Sequence, residues 1–70
     1  MDIENSKKLA LLLERQASEL DNLVGWLRDV SHGGEQRFYI QKIAHILAIS
    51  NDMFDKIYTM YPELKKITKS

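Results

Sequence analysis

Few side chains in this 70-residue sequence could do chemistry, and their spacing narrows the choice further. His32 and His45 are the two histidines, and they stand far apart. A metal ion needs three or four His, Cys or carboxylate ligands that converge, and no such pair at ligand spacing shares an inward face here. There is no cysteine, which removes thiolate nucleophiles, Cys-ligated metals and disulfides together. His45 has Asp52 one heptad on, and both read as solvated groups. Glu19 could serve as a general base, but Arg15 precedes it by four residues, the spacing of a helical ion pair. No Ser-His-Asp set and no Gly-rich phosphate loop occurs. The expectation is a protein that is not an enzyme and holds no cofactor and no metal.

Binding is the chemistry that remains. Trp26 follows Gly25, and Leu11 and Leu12 lie along the same outer side of the same segment. An indole beside a glycine can anchor a partner that approaches closely, so Trp26, Gly25, Leu11 and Leu12 are the candidate partner-binding residues. Ten basic and ten acidic residues leave a formal charge of zero. That balance argues against duplex nucleic acid and against an anionic membrane surface, both of which call for a basic face. Lys65, Lys66 and Lys69 form a small basic tail, which with Arg37 and Lys42 defines an alternative as an accessory nucleic-acid binder. The longest apolar run, residues 9–13, is too short for a signal sequence or a membrane span. The reading is a cytoplasmic protein.

The elements that must position these residues are helices. Long stretches rich in Leu, Lys, Glu, Gln and Arg run without a breaker. Asp2 is placed to cap a first helix over about 3–31, with Glu4 in its first turn. Ser31, His32 and Gly33 end it, Gly33 being suited to left-handed geometry, so the turn falls at 32–34. Glu35 opens a second helix over about 35–60. Tyr61 precedes Pro62 and is pushed off helical angles. Pro62 and Glu63 then start a short helix over about 62–68.

Heptad periodicity sets the packing. With Leu13, Leu20 and Leu27 at a, positions Leu9, Gln16, Leu23 and Val30 fall at d. In the second helix Ile43, Ser50 and Ile57 fall at a, and Tyr39, Ile46, Met53 and Met60 at d. An a/d seam folded at Gly33 pairs Leu13 with Met53, Leu20 with Ile46 and Leu27 with Tyr39. Gln16 and Ser50, the two polar members, face each other and could share a hydrogen bond that fixes register. The fold class is thus all-α: one domain, a long antiparallel helical hairpin plus a short C-terminal helix.

The e positions are also apolar: Ala10, Ala17 and Val24, then Ile40, Leu47, Phe54 and Tyr61. A hairpin closed through a and d leaves them wet, a larger strip than monomers usually expose. These seven residues are therefore the expected dimer interface, and the expected assembly is a homodimeric four-helix bundle.

Residues 17–21, Ala17-Ser18-Glu19-Leu20-Asp21, resemble the SQELD signature of the response-regulator aspartyl-phosphate phosphatases, which are small helical hairpins. Glu19, Leu20 and Asp21 match, while Ala17 and Ser18 replace the signature's Ser and Gln. That family carries the signature on its second helix, whereas here it is on the first. The resemblance implies an aspartyl-phosphate phosphatase as an alternative. The expected function is a small, non-enzymatic regulatory protein that binds itself and another protein.

Overall fold

The computed structural model describes residues 1–65. Two helices, α1 (Ile3–Val30) and α2 (Gly33–Met60), are 28 residues each. At 1.5 Å per residue each is about 42 Å long, and the molecule measures 44 × 17 × 16 Å, so the two lie side by side as a hairpin. No strand occurs among the described residues.

Local chemistry fixes both ends of α1. Asp2 is extended, and its Oδ1 accepts from the Asn5 N–H at 2.8 Å, satisfying one of the free donors of the first turn. At the other end Ser31 leaves the helix, with its N–H on the Leu27 carbonyl at 3.0 Å and its hydroxyl donating to the same oxygen. Only His32 separates Ser31 from α2. Gly33 has φ +62°, the one positive φ among the described residues. It is therefore left-handed as its type suggests, but it belongs to the first turn of α2 rather than to a loop over 32–34. Gln36 completes the reversal. Its side-chain amide donates to the Ser31 carbonyl at 2.7 Å and to the Arg28 carbonyl at 3.2 Å, capping α1 from the next helix.

The seam differs from the expected one. Leu13, Leu27, Ile43, Ser50 and Ile57, all at a, are buried. Beside them lie the e positions, with Ala10 fully buried and Ala17, Val24, Ile40, Leu47, Phe54 and Tyr61 half-buried. The d positions Leu23, Tyr39, Ile46 and Met53 are exposed, as are Val30 and Met60. The hairpin thus closes through a and e, not through a and d. Ser50 is buried while Gln16 is exposed, so the shared polar layer does not form. The physical reason lies in side-chain size. An amphipathic arc covers d, a and e together, and its two edges have equivalent periodicity. The e edge of α1 carries Ala10 and Ala17, and Ser6 is buried in the same helix. Small side chains let the axes approach, so the bulkier d edge is turned outward.

The open end is closed by the segment after α2. Tyr61, ahead of Pro62, departs from helical angles. Hydrogen bonds from the Leu64 N–H to the Tyr61 carbonyl (3.0 Å) and from the Lys65 N–H to the Pro62 carbonyl (3.2 Å) bend the chain back. Leu64 is then only 1% exposed and joins Ala10, Leu13 and Ile57 in one core cluster, flanked by Leu9, Phe54 and Tyr58. The Tyr61 hydroxyl donates to the Met1 carbonyl at 2.8 Å and ties the two ends of the hairpin together. Of the expected helix over 62–68, residues 66–68 lie outside the described residues.

Candidate functional site

The d and g rows of both helices flank the same side of the hairpin, and most of its exposed large apolar side chains lie there. Leu12, Trp26 and Val30 of α1 are more than half exposed, as is Met60 of α2; Ile46 and Ile49 are close to half. Near the turn this side deepens into a groove. Leu23, Trp26, Leu27 and Val30 form one wall, and Tyr39, Lys42 and Ile43 the other. Trp26, at 58% exposure, is its largest open ring. Lys42 borders the same groove. Its ammonium lies 5.3 Å from the Phe38 ring centroid, within cation–π range, and Phe38 meets Tyr39 edge-on at 5.7 Å.

The four candidate partner-binding residues divide between two rows. Trp26 and Leu12, at g, belong to the apolar side. Leu11 and Gly25, at f, lie on the outer flank of α1 and are exposed. A side chain added at Gly25 would meet nothing within 4 Å among the described residues, so none of them requires glycine there.

The seven candidate interface residues are placed differently from expectation. Ala10 is buried in the hairpin, and Ala17, Val24, Ile40, Leu47, Phe54 and Tyr61 are half-buried along its inner seam. The exposed strip is the d row with g beside it. The signal that could have located it was present in the sequence: alanines on the e edge of α1 against leucines, isoleucines and methionines on the d edges.

The opposite side of the hairpin is a polar groove. Glu14, Ser18 and Asp21 border it from α1, and Asn51, Asp55 and Thr59 from α2. Phe54 and Tyr58, stacked at 5.6 Å, also line it. Thr59 Oγ1 is engaged by the Asp55 carbonyl at 2.7 Å. Of the SQELD-like segment, Ala17, Ser18 and Asp21 line this groove, whereas Glu19 does not. Residues two apart on a helix point to different sides, so Glu19 and Asp21 do not converge on one substrate. Glu19 instead meets Arg15 at 3.5 Å in an exposed pair.

His32 precedes α2 without a capping side-chain bond, and His45 is exposed on the outside. Among the described residues no three His, Cys, Asp or Glu side chains come together to hold a metal ion. No helix among them is long and apolar enough to cross a membrane. Of the basic residues considered for nucleic acid, Arg37 is exposed and Lys42 is engaged by Phe38, while Lys66 and Lys69 lie outside the described residues. No protein-family model, no curated protein and no solved structure matches this chain.

Proposed function

We propose that this chain is a small, non-enzymatic interaction protein that associates with itself through the apolar side of the hairpin and, as a homodimer, binds another protein. One observation carries the reading: large apolar side chains from both helices stand open along one side. An apolar surface of that extent marks a place where another macromolecule sits. Leu11 and Gly25, on the flank, stay outside that contact and remain available to a further protein.

The test is sedimentation equilibrium of the purified chain in the micromolar range, with circular dichroism alongside. The expected result is twice the chain mass for the unaltered protein and a helical monomer for Ile46→Asp. A chain that sediments as a monomer, with helicity intact, overturns the reading.

A further inference from the structure

Along α1 the exposed d and g rows are polar only at their middle, at Gln16 and Glu19, with apolar residues to either side, so the row is its own complement when reversed. A second copy of the hairpin, apolar side to apolar side, is of matching length and chemistry.

Two face-to-face arrangements have two-fold symmetry. In one, the axis runs along the helices, both turns share an end, and α1 faces α2 of the other copy. In the other, the axis crosses the helices, the turns lie at opposite ends, and each helix faces its own copy. Polar residues separate the two. Along α1 the d and g rows read Leu9, Leu12, Gln16, Glu19, Leu23, Trp26: two apolar, two polar, two apolar. At the middle of α2 the same rows carry Ile46 and Ile49.

With the axis along the helices, Gln16 and Glu19 would be set against the isoleucines of the second copy. The Gln16 amide would then lose water and gain no partner, which is costly, and Glu19 would have only Lys42 of the second copy, one turn away, to reach for. With the axis across the helices, the polar pair meets its own image. The Gln16 amide donates to the second copy's Glu19 carboxylate, twice by symmetry, in a charge-assisted bond. Leu12 then comes against Leu23, and Ile46 against Ile49. A single polar layer of this kind selects one orientation.

We infer that two copies pair about a two-fold axis that crosses the helices, with Gln16 and Glu19 at its centre and the turns at opposite ends. This inference rests on the self-association proposed above. The sequence has no cysteine, so single-cysteine variants report distance without background. Gln16→Cys, Ile46→Cys and, on the outer flank, Ser18→Cys are each exposed to mild oxidation and run on non-reducing gels. Q16C and I46C are expected to give a band of twice the mass, far faster than S18C. If the unaltered chain is a dimer but neither Q16C nor I46C links to itself, and mixed Q16C and I49C chains link instead, this orientation is overturned while self-association stands. If the unaltered chain is a monomer, both fall.

Discussion

The side-chain amide of Gln36 reaches back across the turn to the carbonyl of Ser31 at 2.7 Å, so the first turn of α2 closes the end of α1. The same amide also reaches the Arg28 carbonyl. Gln36→Ala should therefore lower stability by about 1–2 kcal/mol, the worth of one or two such bonds, read from urea denaturation. An unchanged midpoint would show that water replaces the amide at no cost.

Glycine substitutions should separate by backbone angle. Gly33, at φ +62°, should lose about 1–2 kcal/mol on change to Ala, the cost of a Cβ in left-handed geometry. Gly25 is inside α1 with open space around it, so Gly25→Ala should gain up to about 1 kcal/mol from helix propensity. Thermal melts of the two variants should move in opposite directions.

Leu64 is the most deeply buried large side chain in the described residues. Leu64→Ala should cost about 2–5 kcal/mol, as for other core leucines. Leu11→Ala, with nearly half of that side chain in water, should cost far less. Equal losses for the two would mean that the segment after Pro62 does not hold the core.

Paired substitutions at adjacent positions distinguish the inner seam from the outer side. Leu47→Asp puts a charge among half-buried residues and should unfold the hairpin itself. Ile46→Asp, one residue away and exposed, should leave helicity intact and abolish self-association. Circular dichroism and sedimentation of both variants check the pair, and the reverse pattern would restore the a/d seam.

In the single chain the ion pair of Arg15 and Glu19 is exposed and should count for little there. Arg15→Ala is expected to change stability by about 0.5 kcal/mol or less, a shift within the error of most melts.

The hairpin was legible in the sequence because its signals are local. A glycine at mid-chain, an aspartate before an amphipathic run and a proline near the end each act on their immediate neighbours. The choice of seam was not legible by periodicity, since a-to-d and a-to-e spacings describe the two shoulders of one apolar arc. Side-chain size decides between them, and Ala10 and Ala17 mark the inner shoulder. Three contacts had no sequence signal of their own. The Gln36 cap, the Tyr61–Met1 hydrogen bond and the Lys42–Phe38 contact each depend on tertiary placement of a flexible side chain. The candidate binding residues divide between two rows for a related reason. Trp26 and Leu12 share the apolar side, whereas Gly25 and Leu11, adjacent to them in sequence, are turned about a quarter to a third of a revolution away by helical geometry.

Ala10, with no exposed surface, sits far from the turn at Ser31 and His32 through which the chain joins the two rods. A bulkier group at that point works like a wedge driven between the blades of a pair of shears. The farther it lies from the pivot, the less the pivot can resist. The tips would part first, releasing Leu64 and the Tyr61–Met1 tie, while the bend stayed shut.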